Sequence, residues 1–206
     1  MSFISTPTAD IGKATATMYA SAETSYGYLP NMFRIFGHRP EVMERWGELL
    51  SSIRGQMNPR RYELVTLAAA RELKSSYCML AHGSALLRHG FSNTQLADTI
   101  LDGSHAPLDE NEREIMDFAG MVVRDATGIT KKDIDRLKAT GLTDEEIFDI
   151  AATAAARCFF SKILDAMGAE PDAIYRDRLA PELTQSLTLG RKIEGSFQAE
   201  PAAQGN

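Results

Sequence analysis

The stretch NPRRYELVTLAAARELKSSYCMLAHGSALLRHG, residues 58–90, decides the fold. Asn58 suits a helix N-cap, and Pro59 suits the first helical position, where a missing N–H costs nothing. From Tyr62 onward alanine and leucine dominate without the alternation that marks a strand. Residues 74–77, KSSY, form a natural break. Serine competes with the backbone inside a helix but favours its start. A second helix is therefore expected from the serines to Gly90, and the two helices can turn back on each other.

The remainder of the chain reads the same way. RPEVMERWGELLSSIRG puts Pro40 at a helix start, places Val42, Trp46, Leu49 and Ile53 on one stripe, and stops at Gly55. SNTQLADTILDG is a short capped helix. Asp109 and Glu112 have capping-box spacing, as do Thr143 and Glu146, the latter opening a long run that ends at Gly168. TKKDIDRLKATG and PDAIYRDRLAPELTQ supply two more helical segments. Strand and hairpin signals are almost absent, so the predicted class is all-α. The first ~25 residues and the tail GSFQAEPAAQGN are poor in large apolar residues and read as arms or disordered ends. The expected organisation is an arm over 1–27, one helical domain over 28–185 and a tail over 186–206. A faint echo links residues 62–92 to 146–172: both start acidic, turn alanine-rich and end near a glycine.

The composition narrows the function. The chain has 206 residues, a net charge of −6 and a pI of about 5.3. Lys and Arg are scattered, so no nucleic-acid partner is expected. No apolar run reaches the ~20 residues of a membrane span, and the N-terminus lacks the pattern of a signal peptide. A soluble cytoplasmic protein is expected. Cys78 and Cys158 are the two cysteines; they lie far apart, follow no zinc-site spacing, and would be free thiols in a reducing compartment.

Cys78 and His82 stand one helical turn apart, with Cβ atoms roughly 5–6 Å from each other on a helix. A neutral imidazole can take the thiol proton, and with Ser75 as N-cap the first turn favours an anion at Cys78. Glu63 would lie about 22 Å from Cys78 on one straight helix. If the chain turns at KSSY, its carboxylate can orient His82 as the third group of a triad does. On the residues alone, the first reading of Cys78 is a small buried hydrophobe and the reactive pair is the second. Cys158 reads as structural, and His38, His89 and His105 as surface groups. Tyr77 reads as a pocket border or a core aromatic.

The runs YLPNMFRIFGHRPEVMERWGELL, residues 58–92 and residues 108–172 together resemble the AhpD-like, carboxymuconolactone decarboxylase superfamily, in its peroxidase-related branch. The resemblance implies an AhpD-like helical bundle that assembles as a homo-oligomer, a dimer or hexamer. Its peroxidases carry a glutamate, a Cys-x-x-Cys and a histidine four residues after the second cysteine. Glu63, Cys78 and His82 match these; Ser75 stands where the first cysteine would be. The implied function is a thiol-dependent peroxidase that reduces hydrogen peroxide or organic hydroperoxides through a Cys78 sulfenic acid, with Ser75 or a water in the proton relay. A thiol or protein reductant would regenerate it, with Cys158 a possible resolving thiol, and no cofactor or metal is implied. The alternatives are a decarboxylase-like lyase using the Glu63–His82 pair, and a redox-sensing oligomer with a vestigial site.

Overall fold

The structure, a computed structural model of the chain, describes residues 2–8, 12–101 and 107–195. Eleven α-helices follow in order among them: α1 (Lys13–Tyr26), α2 (Asn31–Phe36), α3 (Pro40–Arg54), α4 (Pro59–Glu72), α5 (Ser76–Arg88), α6 (Asn93–Leu101), α7 (Glu110–Asp125), α8 (Lys131–Ala139), α9 (Asp144–Ala166), α10 (Ile174–Arg178) and α11 (Pro181–Leu187). No strand occurs among the described residues, so the chain is all-α as predicted. None of the described helices is long and apolar enough to cross a membrane.

α4 is the centre. Leu64, Val65, Leu67 and Ala68–Ala70 are essentially inaccessible, because α5, α7 and α9 pack around it. The three successive alanines let those backbones approach closely. The predicted caps hold: Asn58 Oδ1 accepts from the backbone N–H of Arg60 and Arg61, and both capping boxes form. Each box glutamate then serves twice. Glu112 receives Arg60 Nε at 2.5 Å, and Glu146 receives Arg61 Nη1 at 2.5 Å. Consecutive arginines at the start of α4 thereby tie it to the starts of α7 and α9.

The break at KSSY is a sharp one. Lys74 takes φ 52°, the left-handed region, among the described residues the single non-glycine to do so. Ser75 becomes the N-cap of α5, and α5 folds back along α4. The echo seen in sequence is not repeated in structure. Its first copy is broken at Lys74 into α4 and α5, whereas its second, α9, runs unbroken for 23 residues.

One expectation needs correction. The N-terminal arm holds a 14-residue helix, α1, packed on α2 and α3. Few large side chains are needed there: Thr15 donates to the Gly37 carbonyl and Tyr19 to that of Pro7. The tail is docked through residue 195, with Leu187 and Ile193 buried and the Gly190 N–H donating to Ser76 Oγ at 2.8 Å; the rest of it lies outside the described residues, as does His105. The α3 stripe is only half buried. Ile53 is in the core, but Val42 and Leu49 stay exposed and line a groove of about 960 Å³ against α9.

Candidate active site

The turn at Lys74 brings Glu63 of α4 against His82 of α5. Glu63 Oε2 and His82 Nδ1 are 2.6 Å apart. Burial works to raise the Glu63 carboxyl, but the hydrogen bond to His82, with the charges of His82, Arg54 and Arg157, outweighs it and holds the group below the usual carboxylate range. Burial and the Arg157 charge push His82 down to about 4, against the pull of Glu63. Near neutral pH the pair is therefore carboxylate and neutral imidazole. An ionised carboxylate can only accept, so Nδ1 carries the proton and Nε2 is left as a base.

Cys78 is the third residue of α5, in the first turn as the sequence suggested, and it is 1% exposed. No hydrogen bond joins it to His82. Its sulfur is met from α9: Ser161 Oγ donates at 3.1 Å and Arg157 Nη1 lies at 3.8 Å. Ser75, the N-cap, is fully buried, and its Oγ makes no hydrogen bond of good geometry. It lies near enough to the Asp165 carboxyl to offset part of the rise that burial gives that group.

Arg157 and Ser161 escaped the sequence reading. The signal was there: an arginine inside the alanine- and phenylalanine-rich run AATAAARCFFSKIL, with a serine four residues on along the same face. Arg157 is 3% exposed, and a charge so placed is rare without a role or a partner. Its guanidinium sits 5.5 Å from the Trp46 ring centre and 5.6 Å from that of Phe160, while Nη2 donates to the Tyr62 hydroxyl at 3.4 Å. The Tyr62 ring in turn makes a T-shaped contact with the His82 imidazole, centroids 6.3 Å apart.

The other candidates sort themselves by position. Tyr77 is core: its hydroxyl donates to Asp172 at 2.5 Å and accepts from the Met32 N–H. Cys158 is half-buried and free, and burial raises its thiol. His38 and His89 are exposed. The α3–α9 groove is lined by Trp46, which also packs against Arg157, but not by Glu63, Cys78 or His82.

Residues 40–106 match the model of the Carboxymuconolactone decarboxylase family, which bears out the resemblance read from the sequence. That segment carries Glu63, Ser75, Cys78 and His82. No curated relative matches the chain. Among solved structures it is similar to the alkylhydroperoxidase AhpD core of an uncharacterized peroxidase-related protein from Ralstonia eutropha JMP134, at 21% identity and a TM-score of 0.75, covering 84% of this chain and 94% of that one. An uncharacterized peroxidase-related protein from Silicibacter sp. TM1040 is similar at 21% identity and 0.75, covering 84% and 93%. The debrominase Bmp8, solved as a cysteine-to-alanine variant in complex with 2,3,4-tribromopyrrole, is similar at 17% identity and 0.70, covering 89% and 96%. At these identities the likeness establishes the fold, which is AhpD-like.

Proposed function

We propose that the chain is a thiol-dependent peroxidase that reduces hydrogen peroxide or a small organic hydroperoxide at Cys78. The observation that carries this reading is the Glu63–His82 hydrogen bond, set one helical turn from a cysteine in the first turn of α5. Glu63 fixes the imidazole with Nε2 as the base. The Cys78 proton passes to Nε2 through Ser75 or a water. The thiolate attacks the outer peroxide oxygen, the O–O bond breaks, and Cys78 becomes a sulfenic acid. The proton held at His82 then goes to the departing alkoxide, giving an alcohol or water.

A sulfur 1% exposed admits only small reactants. That favours a small thiol over a protein as the reductant, since Ser75 leaves no partner sulfur in the motif to carry the oxidation outward. The decarboxylase-like reading uses the same Glu63–His82 pair but gives Cys78 no task, and the donors that α9 aims at its sulfur favour the thiol reading. Cytoplasmic location belongs to the same proposal, because two free cysteines suit a reducing compartment. Assembly with further copies fits the exposed Val42, Leu49 and Phe159 of the α3–α9 groove.

The test is turnover: consumption of cumene hydroperoxide with dithiothreitol as reductant. Catalytic consumption lost in Cys78→Ser and kept in Cys158→Ser supports the reading; equal, slow consumption by all three proteins contradicts it.

A further inference from the structure

The groups that touch the Cys78 sulfur come from α9, not from the Glu63–His82 pair. Arg157 is buried, and among the described residues it makes no ion pair with a carboxylate; Glu63 feels its charge without touching it. A buried guanidinium without an anion beside it is unfavourable. Two side chains in contact with it can ionise, the Tyr62 phenol and the Cys78 thiol, and a thiol ionises far more readily than a phenol. Arg157 Nε is buried with no acceptor among the described residues, so the guanidinium keeps a donor in reserve.

We propose that Arg157 and Ser161 are catalytic residues that hold negative charge at the Cys78 sulfur, first on the thiolate and then on the sulfenate oxygen. The second half rests on the peroxidase reading above; the first does not. The surrounding charges make Arg157 decisive. His82 on α5 is neutral, Glu63 on α4 is an anion, Tyr175 on α10 is a neutral phenol, and Tyr62 on α4 meets Arg157 through its hydroxyl. Arg54 on α3 acts on Glu63 and His82, and lies over the Tyr62 ring at 5.2 Å. Among the described residues, Arg157 is the cation in contact with the sulfur. When a hydroperoxide ROOH reacts, the sulfur–oxygen bond forms as the O–O bond breaks, the sulfur loses two electrons, and RO⁻ leaves to take a proton. The new oxygen forms on the sulfur that Arg157 Nη1 and Ser161 Oγ already face, so the chain that has no cysteine at position 75 stabilises its oxidised sulfur by donors rather than by a disulfide.

The experiment is the rate of Cys78 alkylation by iodoacetamide in the full chain, read by mass spectrometry at pH 6.5 and pH 9.5, followed by the lifetime of the sulfenic acid formed with one equivalent of cumene hydroperoxide. Arg157→Gln should slow alkylation at pH 6.5 by about tenfold or more, the size of effect an opposite charge has at this range. At pH 9.5, where an ordinary thiol is ionised, its rate should approach that of the unaltered protein, which a merely structural role would not produce. Arg157→Lys should restore most of the rate at pH 6.5, and Ser161→Ala should lose severalfold. Wild-type rates in Arg157→Gln and Ser161→Ala at both pH values overturn the proposal. If Arg157→Gln loses its helical circular dichroism, Ser161→Ala decides alone, an unchanged rate at pH 6.5 counting against. The expected alkylation pattern without any oxidation by hydroperoxide upholds the hold on the thiolate and overturns both the sulfenate half and the peroxidase reading.

Discussion

The Glu63 carboxylate and the His82 imidazole meet at 2.6 Å across the break between α4 and α5, nineteen residues apart in sequence. Neither is at a helix end where charge is easily solvated. Glu63 lies in the most buried stretch of the molecule, among Leu64, Val65 and Leu67. Placing a carboxylate there costs stability unless it is paired, so the pair is the site's organising contact. It fixes the ring with the proton on Nδ1 and Nε2 free, while burial and the Arg157 charge keep His82 neutral.

Removing either partner should therefore separate binding from chemistry. His82→Ala should lower the second-order rate of Cys78 oxidation by cumene hydroperoxide about 100-fold, the lower range for loss of a general acid–base. Glu63→Gln should have a smaller effect, because the amide oxygen can still accept from Nδ1 but carries no charge. Stopped-flow oxidation of the reduced proteins gives both values; equal rates in the three would remove His82 from the reaction.

Ser75 is fully buried at the position three residues before Cys78. Ser75→Cys exchanges an oxygen for a sulfur with little change of shape and completes a Cys-x-x-Cys motif. The variant should respond to one equivalent of hydroperoxide by forming a 75–78 disulfide, with the loss of two hydrogens in the intact mass, where the parent gains one oxygen. Peptide mapping without reductant reads the outcome directly.

Stability should fall on acidification well above the ordinary carboxylate range. The unfolded chain protonates His82 near 6.5, but the folded chain does so only at about 4. Between these values acid favours the unfolded state, so stability declines as the pH drops from about 6.5 to about 4, by at most about 3 kcal/mol from this residue. Glu63, held low in the fold, has the same sign: its contribution is present above its unfolded value and is lost as the pH falls further. Urea unfolding at pH 7.5, 6.0 and 5.0 should show the slope, and His82→Gln should flatten it.

The docked tail supports the site from behind. A Cβ at Gly190 would collide with the backbone carbonyl oxygen of Lys74, the residue whose left-handed conformation makes the α4–α5 turn. Gly190→Ala should cost about 1–3 kcal/mol, as overpacking does. It should also raise amide exchange across residues 74–78. A change in melting temperature without altered exchange there would show that the tail and the turn are not coupled.

Much of the fold is readable from local chemistry: Asn58, Asp109 and Thr143 cap helices as their side chains dictate, and KSSY breaks the chain where serine and a left-handed lysine allow. The pairing of Glu63 with His82 was legible because it depends on one turn between neighbouring helices. Arg157 and Ser161 were not, because they reach Cys78 from 79 and 83 residues away, a distance that no periodicity encodes. The N-terminal helix was missed for a different reason. α1 buries only Thr15, Tyr19 and Ala22, and leans on side-chain hydrogen bonds to carbonyl groups that are set only by the fold.

The most direct test of the central claim is trapping of a sulfenic acid on the reduced protein after brief exposure to cumene hydroperoxide, read by mass spectrometry. The account predicts fast labelling confined to Cys78, strongly reduced in His82→Ala, with Cys158 unlabelled. Slow and equal labelling of Cys78 and Cys158, indifferent to His82, would contradict it.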